Sequence, residues 1–151
     1  MSIFRRIIPF LQKWSRRLRI SLLQARAMAK NKVLFVEDKD EFRKIYGDRL
    51  RFGGYEVVDA RNGEEALSSL ELKPIDIIIT DINMPKMDGY ELIRRVKADD
   101  KYKNIPIIVM SVFDQSEHLK KALDLGAADY LVKGMHTPNA VLEKIEKLLG
   151  K

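Results

Sequence analysis

The stretch IDIIITDINMPKMDGYEL, residues 75–92, changes character abruptly at its seventh residue. Five of its first six residues are apolar or β-branched, which predicts a buried strand over 75–80. Asp81 ends this run, and a loop containing a proline and the pair Asp88-Gly89 follows it. A carboxylate at the end of a buried strand therefore needs a chemical reason.

The same change from apolar strand to helix recurs along residues 32–149. The patterns predict strands at 32–36, 55–60, 75–80, 105–111 and 129–133, and helices at 41–52, 63–72, 90–98, 116–126 and 139–149. In the first helix, the spacing places four residues on one side: Phe42, Ile45, Tyr46 and Leu50. Apolar strands that alternate with helices indicate a parallel sheet covered on both faces, so the fold class is α/β, doubly wound and five-stranded.

Polar residues follow four of these strands. Glu37 and Asp38 end the first, Asp81 the third, Ser111 the fourth and Lys133 the fifth. In such sheets, sites lie at the carboxyl ends of the strands, so we expect these groups to meet at one edge. Three clustered carboxylates favour a divalent cation with oxygen ligands, such as Mg²⁺, and a lysine is a good partner for phosphate. The set fits a carboxylate that accepts a phosphoryl group.

At these residues the sequence resembles a family, the receiver domains of two-component response regulators. The resemblance covers residues 32–149 and rests on the acidic pair Glu37-Asp38, the D-x-x-M-P-x-M-D-G run at 81–89, the strand-end Ser111 and GAADYLVK at 126–133. It implies a flavodoxin-like sheet with strand order 2-1-3-4-5. It also implies a stand-alone, single-domain receiver like the chemotaxis regulators, since residue 151 follows closely on the last helix.

The resemblance also implies roles for individual residues. Asp81 is the expected phosphoacceptor, and Ser111 and Lys133 are expected to contact the phosphoryl group. The expected ligands of Mg²⁺ are Glu37, Asp38, Asp81 and the backbone carbonyl of Asn83. Ser111 and Tyr130 correspond to the pair that switches the domain on phosphorylation, with the aromatic ring turning inward. Asp88 is expected to cap the helix that begins near Gly89.

The implied function is signalling, not enzymatic turnover. The resemblance leads us to expect that a sensor histidine kinase or a phosphotransfer protein donates the phosphoryl group to Asp81, and that a downstream protein binds the face formed by helix 4, strand 5 and helix 5. Two alternatives remain open: an adaptor that works without phosphorylation, and an aspartyl-phosphate hydrolase. A hydrolase of that kind needs a second aspartate two residues after the nucleophile, where this sequence has Asn83.

Three residues depart from the usual family pattern. Glu37 stands where many relatives have aspartate, so its longer side chain is expected to reach a metal through water. Val112 follows Ser111 where a small residue is common, and Gly134 replaces a frequent proline, which predicts a trans bond after Lys133. The two histidines, His118 and His136, are expected at the surface because neither has a partner spaced for metal binding.

Charge divides the 151-residue chain into two parts. Residues 1–30 contain eight of its 28 basic residues and no acid, whereas the remaining 20 basic residues are outnumbered by 22 acidic ones. The net charge of +6 therefore comes from residues 1–30 and gives no reason to expect nucleic-acid binding by the receiver. The absence of cysteine fits a reducing cytoplasm, and no apolar run is long enough to span a membrane as a helix.

We divide the chain into a basic amphipathic leader, residues 1–31, and a receiver domain, residues 32–151. Wound as a helix, the leader places most of its large apolar residues in one arc: Ile3, Phe4, Ile7, Ile8, Phe10, Leu11, Trp14, Leu18 and Leu22. Three interpretations remain open. Residues 1–27 bind an anionic membrane surface, they dock on a protein or nucleic acid, or translation begins at Met28.

Overall fold

A computed structural model describes residues 29–150, so predictions for residues 1–28 lie outside the described part of the chain. The compact unit begins at Asn31. Its elements are β1 (Lys32–Val36), α1 (Asp40–Phe52), β2 (Glu56–Ala60), α2 (Gly63–Leu72), β3 (Ile77–Thr80), α3 (Gly89–Ala98), β4 (Ile107–Ser111), α4 (Ser116–Asp124), β5 (Asp129–Val132) and α5 (Pro138–Leu148). The alternation of five strands with five helices is confirmed for these residues.

The five strands form one parallel sheet in the order β2-β1-β3-β4-β5. Val33 of β1 pairs with Val57 on one side and with Ile77 on the other. The predicted flavodoxin-like order is therefore confirmed. Two strands begin two residues later than predicted: β3 at Ile77 and β4 at Ile107. The carbonyl of Pro106 still accepts a hydrogen bond from the N–H of Ile78, so pairing extends slightly beyond the β4 boundary.

Two apolar cores cover the two faces of the sheet. Successive side chains of a strand point to opposite faces, so Leu34 and Val36 enter one core whereas Val33 and Phe35 enter the other. The first core is closed by α2, α3 and α4, and the second by α1 and α5. Each large side chain buried in this way contributes about 1.5–3 kcal/mol through the hydrophobic effect. The sheet is thus a rigid platform for the residues at its ends.

Side-chain caps begin three of the helices. Asn62 accepts from the N–H of Glu65 at the start of α2, and Thr137 accepts from the N–H of Ala140 at the start of α5. Asp88 accepts from the N–H of Glu91 at 2.8 Å, which confirms its predicted cap of α3. Each such cap is worth about 1 kcal/mol.

One packing expectation was wrong. Ile45 was placed on the buried side of α1, but 57% of its surface is exposed, while Tyr46 and Leu50 are buried. At 100° per residue, Ile45 lies about 100° from Tyr46 and farther from Leu50, so it falls at the edge of the buried stripe. Within residues 29–150, no helix is both long and apolar enough to cross a bilayer.

Candidate functional site

Backbone hydrogen bonds fix three strand-end residues at the carboxyl edge of the sheet. The N–H of Glu37 donates to Ala60, that of Asp81 to Val36 and that of Lys133 to Ser111, at 2.9, 3.0 and 2.7 Å. These bonds continue the sheet ladder one residue past β1, β3 and β5. The three side chains are therefore anchored on the sheet and do not belong to freely moving loops.

Buried polar groups concentrate at this edge. Among the described residues, the buried polar or charged ones are Glu37, Asn62, Thr80, Asp81, Ser111 and Lys133. Four of these six are residues that the sequence assigned to the site. Burying charged groups is costly unless they are paired or bound to a ligand. Their clustering here shows that the fold tolerates that cost at one place, which is typical of a functional site.

Lys133 lies at the centre of the cluster. Its Nζ donates to Asp81 Oδ2 at 3.0 Å and forms a close ion pair with Glu37 Oε2. Asp81 Oδ1 accepts from the N–H of Ile82 at 2.7 Å, which fixes the orientation of the carboxylate. One ammonium thus bridges carboxylates from two different strand ends and offsets part of their mutual repulsion.

The two residues of the acidic pair have different surroundings. Glu37 uses both oxygens, since Oε1 accepts from the N–H of Lys39 at 3.1 Å and Oε2 from Lys133. Burial raises the pKa of the Glu37 carboxyl above its ordinary value, and the hydrogen bond from Lys133 opposes that rise. Asp38 Oδ1, in contrast, is buried and has no hydrogen-bond partner among the described residues.

The carboxylates of Glu37, Asp38 and Asp81 each place an oxygen within 4.8 Å of the other two. A buried, unpaired carboxylate oxygen beside two more carboxylates is unfavourable in the protein alone. A hard divalent cation with oxygen ligands removes this cost, and Mg²⁺ is commonly bound by one or two carboxylates together with waters and phosphate oxygens. The donor set present here therefore fits Mg²⁺.

The loop between β3 and α3 lies tightly against the acceptor residue. The N–H of Gly89 donates to the carbonyl of Ile82 at 2.8 Å, and a Cβ added to Gly89 would lie 2.1 Å from the carbonyl oxygen of Asp81. Asn83, the predicted source of a carbonyl ligand, is exposed in this loop. Only glycine at position 89 allows α3 to begin this close to the end of β3.

In the segment after β4, the backbone of Phe113 links Ser111 to Tyr130 through hydrogen bonds. The N–H of Phe113 donates to Ser111 Oγ at 3.3 Å, and the Tyr130 hydroxyl donates to the carbonyl of Phe113 at 2.8 Å. Only 6% of Tyr130 is exposed, so its ring already lies inward in this structure. Burial raises the pKa of the Tyr130 phenol above its ordinary value.

The two histidines, expected at the surface, are only partly exposed. His118 is half-buried, its ring stacks on Phe113 with 4.4 Å between centroids, and its Nδ1 lies 2.6 Å from the Tyr90 hydroxyl. His136 is also half-buried, with Nδ1 3.2 Å from the backbone of Val132. Tyr90 on α3 contacts the His118 ring, and the local sequence did not reveal this distant neighbour.

Sequence reasoning missed Phe42 as a neighbour of the site. Its ring lies under Lys133, with 4.5 Å between the ring centroid and Nζ. The pattern assigned it only to the packed side of α1. One signal could have indicated more: Phe42 lies in the first turn of α1, and α1 begins just beyond the carboxyl end of β1, where the acidic pair lies.

The model of the family described as the response regulator receiver domain matches residues 33–146. The chain belongs to this family. The matched range contains every residue of the site, from Glu37 to Lys133. The receiver domain identified here is thus the same part of the chain that forms the five-stranded sheet.

Curated relatives of this receiver domain include a chemotaxis protein CheY1 from Helicobacter pylori, 38% identical over 121 residues, which are 79% of this chain and 97% of that protein. A gliding motility regulatory protein from Myxococcus xanthus is 34% identical over 141 residues. That match covers 93% of this chain but only 18% of the relative. Similar receiver domains therefore occur both alone and as small parts of larger proteins.

Solved structures show the same fold. The chemotaxis response regulator CheY4 of Vibrio cholerae superposes with a TM-score of 0.74 at 32% identity, covering 80% of this chain and 99% of that one. The receiver domain of a sensor histidine kinase from Pseudomonas aeruginosa, solved with a magnesium ion coordinated in its active site cleft, gives a TM-score of 0.75 at 27% identity. That comparison covers 82% of this chain and all of the other.

Proposed function

We propose that this receiver domain accepts a phosphoryl group on Asp81 from a histidine kinase or a phosphotransfer protein, in a reaction that requires Mg²⁺. The observation that carries the proposal is the buried cluster in which Lys133 bridges Asp81 and Glu37 beside the unpaired oxygen of Asp38. Nucleophile, cation and acidic metal ligands then lie within one enclosed site. These are the parts that phosphoryl transfer requires.

In the proposed transfer, an oxygen of Asp81 forms a bond to phosphorus while the bond from phosphorus to the donor's imidazole nitrogen breaks. The electron pair of that bond remains on the nitrogen, which takes up a proton. Lys133, already 3.0 Å from Asp81 Oδ2, compensates the negative charge that the new group brings to this carboxylate. The Ser111 hydroxyl, buried at the end of β4, is proposed to donate to a phosphoryl oxygen.

Asp38, Asp81 and the Asn83 carbonyl are proposed to hold Mg²⁺, with Glu37 reaching it through water. The assignment of Glu37 follows from its oxygens, both of which already accept hydrogen bonds, whereas Asp38 Oδ1 accepts none from the described residues. Bound there, Mg²⁺ would neutralise negative charge and orient the oxygens of the incoming group. The magnesium ion in the Pseudomonas aeruginosa receiver domain supports this proposal.

The proposed output is protein contact on the face formed by α4, β5 and α5. Leu119 and Leu123 on α4 are large apolar residues that are partly exposed there, as is Met135 just after β5. Ser111 and Tyr130 are proposed to transmit the phosphorylation state to this face, since both are bonded to the Phe113 backbone. The donor kinase and a chain without cysteine fit a cytoplasmic protein.

Neither alternative function gains support from the site. An adaptor that works without phosphorylation has no need for a buried lysine bridging two carboxylates. An aspartyl-phosphate hydrolase needs an acid two residues after the nucleophile, and position 83 is an asparagine. In the proposed reaction the protein is itself the acceptor, so it is a signalling protein and not an enzyme acting on a separate substrate.

The test uses acetyl phosphate as donor and the intact mass of the protein as readout. We expect one added phosphoryl group in Mg²⁺, none in EDTA and none in Asp81→Asn, because the amide is a poor nucleophile and binds metal weakly. Asp100→Asn is the matched control, since Asp100 is an exposed aspartate whose side chain pairs with Lys103 after α3. Equal uptake in the Asp81 variant or in EDTA would refute the proposal.

A further inference from the structure

The ammonium group of Lys133 has a third neighbour besides its two carboxylates. Its Nζ lies over the Phe42 ring, 4.5 Å from the centroid, and only 2% of the Lys133 side chain is exposed. An ammonium has three N–H donors and no acceptor. Glu37 and Asp81 take two directions around Nζ, and the face of an aromatic ring lies in another.

Phe42 is held in place by further aromatic rings. It stacks on Tyr46 with 6.4 Å between centroids and 28° between planes, and Tyr46 meets Phe35 edge-on at 6.5 Å. Phe35 is fully buried in β1. A row of three rings therefore runs from the interior of the sheet, across the first two turns of α1, to the ammonium of Lys133. Such a row fixes the Phe42 ring more firmly than an exposed side chain could.

The face of an aromatic ring carries partial negative charge and attracts a cation without accepting a conventional hydrogen bond. The attraction is strongest where water is excluded, as it is around Lys133. Glu37 competes with Asp81 for the same ammonium. A third attraction from the side of α1 is therefore expected to keep the ammonium within reach of Asp81 when charge on that carboxylate changes.

We propose that Phe42 is a positioning residue for phosphorylation, which acts by holding the ammonium of Lys133 over its ring. The inference rests on the proposed function of Asp81 and Lys133 and deepens it. In the proposed role, Phe42 acts through Lys133 and touches neither the donor nor the phosphoryl group. A ring that serves only to fill space would be replaceable by any side chain of the same shape, whereas a positioning ring depends on its electron distribution.

The decisive experiment changes the electrons of the ring while keeping its shape. Phenylalanines with increasing numbers of ring fluorines are incorporated at position 42, and the rate of phosphorylation by acetyl phosphate is measured in saturating Mg²⁺. Each fluorine withdraws negative charge from the ring face, so we expect the rate to fall stepwise, reaching roughly tenfold, which corresponds to about 1.4 kcal/mol on the barrier. Phe42→Tyr should stay near the parent rate, since it keeps the ring face.

The matched control is the same fluorinated series at Phe52. Arg49 lies over the Phe52 ring at 5.2 Å, but that ring is 83% exposed and belongs to the last residue of α1, at the opposite end of the helix from Phe42. The rate should not change along that series. A rate that is flat along the Phe42 series, or that falls equally in both series, would overturn the positioning role.

A second readout separates this inference from the proposed function. The ring current of Phe42 should shift the NMR signal of the Lys133 ε-methylene, and Phe42→Leu should remove that shift. If the parent protein takes up no phosphoryl group, the proposed function fails and the positioning role for phosphorylation falls with it. If the parent is phosphorylated but its Lys133 signal is unaffected by Phe42→Leu, only the role of Phe42 is refuted.

Discussion

Val112 lies one residue past Ser111, beside the proposed phosphorylation site, and 52% of its surface is exposed. A branched side chain next to Ser111 is expected to narrow the path of the water that must attack phosphorus opposite the Asp81 oxygen. We therefore predict that the phosphorylated state is long-lived for this family and that Val112→Ala shortens its lifetime several-fold, where tenfold would equal about 1.4 kcal/mol on the barrier.

The measurement for Val112 is the decay of phosphorylated protein after removal of the donor, with Mg²⁺ present. Leu119→Ala serves as control, because Leu119 is also a partly exposed apolar residue but lies on α4 and not next to Ser111. An alanine variant at 112 that decays at the parent rate, or more slowly, would show that Val112 does not shield the site.

A second feature at the residue scale is Glu37, whose side chain is one methylene group longer than that of aspartate. Its carboxylate meets Lys133 on one side and the N–H of Lys39 on the other. The resemblance to the receiver family leads us to expect aspartate at this position. Both oxygens of the longer side chain thus accept hydrogen bonds within the protein, whereas the buried Oδ1 of Asp38 accepts none from the described residues.

At the scale of elements, the junction of β3 and α3 depends on one glycine. A Cβ at Gly89 would approach Asp81 O at 2.1 Å and Ile82 Cα at 2.9 Å, and both are backbone atoms that cannot move aside alone. We predict that Gly89→Ala lowers the free energy of unfolding by about 3 kcal/mol, since overpacking of this kind displaces backbone. Urea denaturation followed by circular dichroism measures the change.

Gly53→Ala provides the comparison for this junction. A Cβ at Gly53 would meet Leu142 Cδ2 at 2.8 Å, which is the end of a flexible side chain that can turn away. The loss of stability there should be clearly smaller than at Gly89. If the two alanine variants unfold at the same urea concentration, the close approach of α3 to β3 is not the reason that position 89 requires glycine.

The loop between β4 and α4 is a second junction set by contacts between elements. His118 of α4 stacks on Phe113 of the loop and reaches the Tyr90 hydroxyl of α3. Lys121 adds its ammonium over the Tyr90 ring at 4.0 Å. The segment that follows Ser111 is therefore packed against α4, which α3 contacts in turn, and this packing links the proposed switch to the proposed output face.

At the scale of the whole molecule, the sequence of the basic leader suggests that it binds membranes, and this role can be tested. Residues 1–27 combine arginines with Trp14 and several large apolar residues, a pattern typical of segments that lie on anionic membranes. We predict that the full chain co-sediments with anionic vesicles, whereas a chain beginning at Met28 does not. Added salt should weaken the binding because part of the attraction is screened charge.

Neutral vesicles are the control for the leader, and binding to them should be weaker at every salt concentration. Equal co-sedimentation of the two chains would rule out membrane binding through residues 1–27. It would leave a protein or nucleic-acid partner, or translation from Met28, as the interpretation of this segment.

The sequence by itself determined the alternation of strands and helices, the order of the elements and the strand-end positions of Glu37, Asp81, Ser111 and Lys133. It did so because burial on both faces imposes apolar runs, and because parallel strands bring their carboxyl ends to one edge. The cap of α3 by Asp88 was also predictable, since capping depends on residues only three positions apart.

Only the tertiary structure decided which side chains meet across elements. It placed Phe42 under Lys133, enclosed His118 between Phe113 and Tyr90, turned Tyr130 inward and left Ile45 exposed. These contacts depend on how each helix is rotated and shifted against the sheet, to within about an ångström. A periodic pattern fixes the face that a helix buries, but it does not fix which residue of a distant element that face will touch.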